Sequence, residues 1–116
     1  MKDPGLYLLH IRDCLARIEQ YTADGRETFL ATDVAQDAVL RNLQTIGQSV
    51  ARLPDELKAS HPEIDWRGIV GLRNVLVHDY LGVNIVRVWE TVERDIPALR
   101  RTVDAMLHEM GTTSPE

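Results

Sequence analysis

With 116 residues, 44% of them hydrophobic, and a formal charge of −5, the chain has room for one domain with its own core and not for two. That charge excludes a general nucleic-acid coat, whose affinity comes from many Lys and Arg side chains neutralising phosphates, so any RNA must meet a local basic site. A lone cysteine, Cys14, excludes an internal disulfide, and neither zinc-type spacing, a signal region after Met1, nor an apolar run of membrane-spanning length is visible, which reads as a cytoplasmic protein.

Apolar residues recur at helical spacing through almost the whole chain, and no strand-like alternation bounded by hairpin turns occurs. The first helix opens after Asp3 and Pro4, carries Leu8, Ile11, Leu15 and Ile18 on one stripe, and ends near Tyr21 before the Asp24-Gly25 turn. A short segment around Glu27 to Ala31 follows. Thr32 or Asp33 caps a long second helix with Val39, Leu43, Ile46, Val50 and Leu53 on its buried face, and Pro54 stops it. Gly47 within it permits close packing. Residues 54 to 62 make a short helical turn and a loop. Asp65 then begins a third helix with Ile69, Leu72 and Leu76 towards the core, ended by Gly82. Asn84 caps a last helix bearing Val88, Val92, Ile96, Leu99, Val103 and Met106, in which Pro97 predicts a kink. The expected fold is all-α, an up-down bundle of four main helices plus short helical segments, with one domain over residues 1–110 and a disordered tail at 111–116.

Arginine far outnumbers lysine, since only Lys2 and Lys58 are lysines. Most arginines are expected as solvated partners in i,i+4 pairs such as Asp13 with Arg17, Asp37 with Arg41 and Glu90 with Arg94. One stretch stands apart. Arg73-Asn74-Val75-Leu76-Val77-His78-Asp79-Tyr80 puts a guanidinium, an imidazole and a phenol within eight residues. On a continuous helix Arg73 and Tyr80 share a face, and Asn74 and His78 share the adjacent one. Arg73 and His78, five apart, do not align. Their meeting requires the reach of the arginine, a distorted last turn, or a second copy of the helix facing the first, which points to a dimer cleft.

An imidazole can exchange protons near neutral pH. A guanidinium stays charged and can grip two phosphate oxygens. Asn74 could orient the imidazole or donate to phosphate, and Asp79 could support a charged imidazole or be simply solvated. A histidine alone on a helix is more often structural than catalytic, and that reading is preferred for His10, His61 and His108. Trp66 and Trp89 are expected in the core or an interface, with Trp66 also placed to flank a base. No glycine-rich phosphate loop, Asp-x-Asp metal pair or nucleophile elbow is present.

Arg73, four residues, His78, one residue, Tyr80 resembles the Arg-x4-His-x-Tyr signature of HepT-like toxins, a branch of the HEPN superfamily of small helical proteins. The likeness extends to residues 37–47, to Val88-Trp89-Glu90-Thr91-Val92 and to Asp95-Ile96-Pro97-Ala98-Leu99, covering nearly the whole chain from Leu6 to Leu107. It implies a metal-independent RNA endonuclease without a cofactor, the toxin of a type VII-like toxin-antitoxin system, working as a homodimer whose two motif helices line a shared cleft. Arg73 and His78 would be catalytic, with Asn74 and Asp79 in support. The resemblance further implies that Tyr80 receives adenylyl groups from a cognate nucleotidyltransferase antitoxin, silencing the nuclease. The alternative is a noncatalytic helical nucleotide- or RNA-binding partner subunit of such a nucleotidyltransferase.

Overall fold

The computed structural model describes residues 3–79 and 82–111. Asp3 starts α1 (Pro4–Thr22) by accepting the Gly5 backbone N–H at 2.8 Å, ahead of a proline whose missing N–H costs nothing in a first turn. Leu8, Ile11, Cys14, Leu15 and Ile18 fall on one stripe and are buried. Gly25, at φ 94°, turns the chain into α2 (Arg26–Leu30), whose buried Phe29 meets Trp89 with ring centroids 5.5 Å apart.

Thr32 precedes α3 (Asp33–Ala51), but its hydroxyl donates back to the Thr28 carbonyl at 2.6 Å instead of capping. Gln36 does the fastening: its amide donates to the Phe29 and Leu30 carbonyls at 3.1 and 3.0 Å, clamping α2 to the first turn of α3. After α4 (Asp55–Ala59), Asp65 caps α5 (Trp66–His78) through the Gly68 N–H at 3.0 Å. The Trp66 indole N–H donates to the carbonyls of Lys58 and His61, each at 3.0 Å. Trp66 is therefore an anchor of the α4–α5 connection, and the expectation that it could flank a base gives way to that buried role.

α5 ends at His78, four residues short of the expected Gly82, because Asp79 leaves helical space at φ −144° and ψ 55°. Asn84 caps α6 (Ile85–Glu109) as expected, accepting from the Val86 and Arg87 N–H groups. α6 runs on through Pro97, and Gly111 at φ 69° follows its last turn. Arg94 pairs with Asp95 at 3.1 Å and not with Glu90. Arg100 joins Glu19 of α1 to Asp104 of its own helix.

These helices form the expected all-α bundle, with no strand among the described residues. α1 packs between α3 and α6, and α5 lies on the other side of α3. α5 and α6 make few direct contacts, leaving an apolar groove of about 400 Å³ between them, floored by Leu43 and Ile46 of α3.

Candidate functional site at the end of α5

α5 is apolar in sequence yet poorly covered. Of its thirteen residues only Trp66 and Leu76 are buried, while Val75 is 52% exposed and Val77 42%. The covered side, which includes the half-buried Ile69, Leu72 and Arg73, rests on α3. Arg67, Gly71, Asn74 and His78, spaced by three and four residues, form one exposed stripe on the far side.

Arg73 sits at the crossing of α5 over α3. Its Nη1 donates to Asn74 Oδ1 at 3.0 Å, and its Nε is buried with no hydrogen-bond partner. No carboxylate comes within ion-pair distance of it among the described residues. Among the described residues nothing offsets the guanidinium charge, which suits it to an anion from outside the chain. Asn74, expected to orient the imidazole or donate to a phosphate, accepts from Arg73 through Oδ1.

His78 is the last residue of α5, exposed, with no side-chain hydrogen bond among the described residues. The Asp79 carboxylate lies over Gly82, where an added Cβ would come 2.4 Å from Oδ2, and the Gly82 N–H closes the turn onto the Asp79 carbonyl at 3.2 Å. No Asp79–His78 bond occurs among the described residues. Tyr80 lies outside them. At 3.6 residues per turn the Cβ directions of Arg73 and His78 diverge by about 140° around the axis. One chain thus places cation and imidazole five residues apart on one helix, the first mid-helix and the second at its end, on different sides of it. No group of three or more His, Cys, Asp or Glu that could hold a metal occurs among the described residues.

A second polar cluster lies outside the motif. His61 Nδ1 is 3.1 Å from Glu63 Oε2 and its Nε2 2.9 Å from Glu109 Oε1, while Thr102 reaches Glu63 at 3.4 Å. The bond to Glu63, aided by Glu109, raises the His61 pKa above 6.5 despite an opposing effect of burial. Sequence reasoning placed His61 among structural histidines, and the two-residue spacing to Glu63 was the only visible hint. Glu109, 48 positions away, gave none.

Fold and site together define a small all-helical protein that carries, on one helix, a mid-helix arginine with no carboxylate partner among the described residues and a terminal, exposed histidine. The family model described as "Ribonuclease HepT-like" matches residues 11–106, and the chain belongs to that family; its enzyme class is ribonuclease. It is 37% identical to a protein named "Putative RNase" from Caldanaerobacter subterraneus subsp. tengcongensis, over 94% of this chain and 98% of that one. It is 39% identical to "Probable ribonuclease HepT" of Thermococcus cleftensis, over 81% and 86% of the two chains. Identity is 34% over 94% of this chain to a "Gamma-glutamylcyclotransferase and putative RNase" of Methanocaldococcus jannaschii, of whose length the match spans 50%. No solved structure matches. Among the described residues no helix is long and apolar enough to cross a membrane.

Proposed function

We propose that this ribonuclease is the toxin of a toxin-antitoxin pair, a cytoplasmic RNA endonuclease that acts as a homodimer and needs no metal. The observation that carries the reading is the Arg73 guanidinium, free of any described carboxylate, on the same helix as the exposed, terminal His78. The nucleophile is the substrate's own 2′-hydroxyl. His78 takes its proton as the 2′-oxygen attacks phosphorus, and the bond from phosphorus to the 5′-oxygen breaks. The leaving oxygen receives a proton from an imidazolium, and the products are a 2′,3′-cyclic phosphate and a 5′-hydroxyl. Arg73, steadied by Asn74, stabilises the charge that builds on the non-bridging oxygens.

Two copies meeting along α5 solve the divergence of Arg73 from His78, each supplying one group to a phosphate held between them. Two features of α5 support such a face. Its apolar Val75, about 40° from Gly71 around the axis, is half-exposed. Gly71 sits mid-helix on the exposed stripe with nothing within 4 Å of where its Cβ would be, so a residue that costs about 1 kcal/mol relative to alanine has no packing reason within its own chain. Asp79 ends the helix. Adenylylation of Tyr80 by a cognate nucleotidyltransferase antitoxin would place negative charge and bulk two residues beyond His78 and shut the enzyme off.

Incubation of RNA with the wild type and with His78→Ala tests the catalytic reading. Cleavage by the wild type alone is expected. Equal cleavage by both removes His78 from the chemistry, and none by either favours a noncatalytic RNA- or nucleotide-binding partner subunit. For Tyr80, intact mass after mixing with the nucleotidyltransferase and ATP should show adenylyl increments that disappear in Tyr80→Phe.

A further inference from the structure

α3 and α5 cross at Gly47. A Cβ built there would lie 2.3 Å from Arg73 Cβ, 3.0 Å from Arg73 Cγ and 3.1 Å from the Ile69 carbonyl oxygen. Gly47 is buried within a helix and has no positive φ, so nothing in its own backbone calls for glycine, and a helical glycine is less stable there than alanine. Its neighbours on the buried face, Leu43, Ile46 and Val50, are all large. The one place on this face of α3 where a side chain is excluded lies directly beneath Arg73.

That contact differs from an ordinary tight packing spot in what it meets. Cβ and Cγ are the root of the arginine, one and two bonds from the α5 backbone, and cannot swing aside as a side-chain tip would. The stem of Arg73 lies flat on the bare α3 backbone, its Nε sealed off from solvent and unpaired while Nη1 reaches forward to Asn74. We infer that Gly47 is a positioning residue for the nuclease site: its missing side chain seats the root of Arg73 against α3 and so sets where the guanidinium meets the RNA phosphate. This rests on the reading of Arg73 as the phosphate-stabilising cation.

With alanine at position 47, α5 must move off α3 by about 1 Å to bring 2.3 Å up to ordinary contact beyond 3.4 Å. A displacement of that size at a group acting in the transition state lowers turnover by about 10²-fold. The test is steady-state RNA cleavage by Gly47→Ala, Arg73→Ala and the double variant, beside Ile18→Ala as a control that loses buried methylenes of α1. Gly47→Ala is expected to keep KM within about three-fold while kcat falls by about 10- to 100-fold. In the Arg73→Ala background Cβ remains and α5 is still pushed off α3, so only the share of the loss that runs through the guanidinium should vanish, and the further fall in kcat should be clearly smaller than in the wild type. Ile18→Ala should melt earlier yet retain its kcat below its melting temperature.

Wild-type kcat in Gly47→Ala overturns the inference, as does an equal loss on top of Arg73→Ala. Full activity in Arg73→Ala overturns instead the reading of the site on which it rests. Should Gly47→Ala not fold, the wild type decides by NMR: the Arg73 Nε–H should exchange with solvent far more slowly than those of the exposed Arg67 and Arg87. Equal exchange rates overturn the inference.

Discussion

His61 Nε2 lies 2.9 Å from Glu109 Oε1, joining the segment that leads into the motif helix to the last turn of α6. Both ring nitrogens are engaged, since Nδ1 meets Glu63, and only a protonated imidazole can donate to both carboxylates at once. The raised folded pKa of His61 means that its contribution to stability is complete below its ordinary 6.5 and is lost as pH rises through the raised value. Glu63 is held below 4.5, first by its own backbone N–H and then by His61, so its share is present above 4.5 and disappears as pH falls through the lowered value. The clamp is therefore strongest between those ordinary values. Melting curves of wild type and His61→Gln should differ by a few degrees at pH 5.5 and converge as pH rises through the raised His61 value; a gap independent of pH would sink this account.

Val75→Asp and Gly71→Leu should each leave the bundle folded, because Val75 is half-exposed and nothing among the described residues lies within 4 Å of a Cβ at Gly71. Both should convert a dimer into a monomer in sedimentation and lower cleavage at least tenfold, since a charge or a bulky side chain on a face that closes against a copy of itself is costly. A monomeric wild type at assay concentration that cleaves at full rate would rule out the shared site.

Replacing Arg73 with alanine should lower kcat by about 10²- to 10³-fold, the range for losing a group that stabilises transition-state charge. Lysine should restore little, because it lacks the planar fork. An RNA with one 2′-deoxy sugar at the cut position should resist cleavage there, and the products of the normal RNA should end in a cyclic phosphate detectable by mass. Cleavage of the deoxy position would remove the 2′-hydroxyl mechanism.

Asn84→Ala removes the acceptor for the Val86 and Arg87 N–H groups in the first turn of α6 and should destabilise the protein by about 1 kcal/mol in urea unfolding. An unchanged midpoint would mean that water replaces the cap at no cost.

Helices, their caps and most of the core were legible in the chain, because a 3.6-residue stripe, an Asp3-Pro4 or Asn84 start and a Gly25 turn act through neighbours close in sequence. Local rules also picked out Arg73 and His78 by type and spacing. They misplaced the end of α5, where Asp79 leaves helical space well before Gly82, and they did not show the bond from Arg73 to Asn74 Oδ1. Gly47 could be marked for close packing, but its counterpart, the root of Arg73, became visible only once α5 was laid across α3. The same holds for His61 and Glu109, and for the bareness of Val75 and Gly71. Periodicity says which side of a helix is apolar; which neighbour covers it, or leaves it open, depends on how distant segments pack, and that is decided by the sum of many contacts that no local pattern encodes.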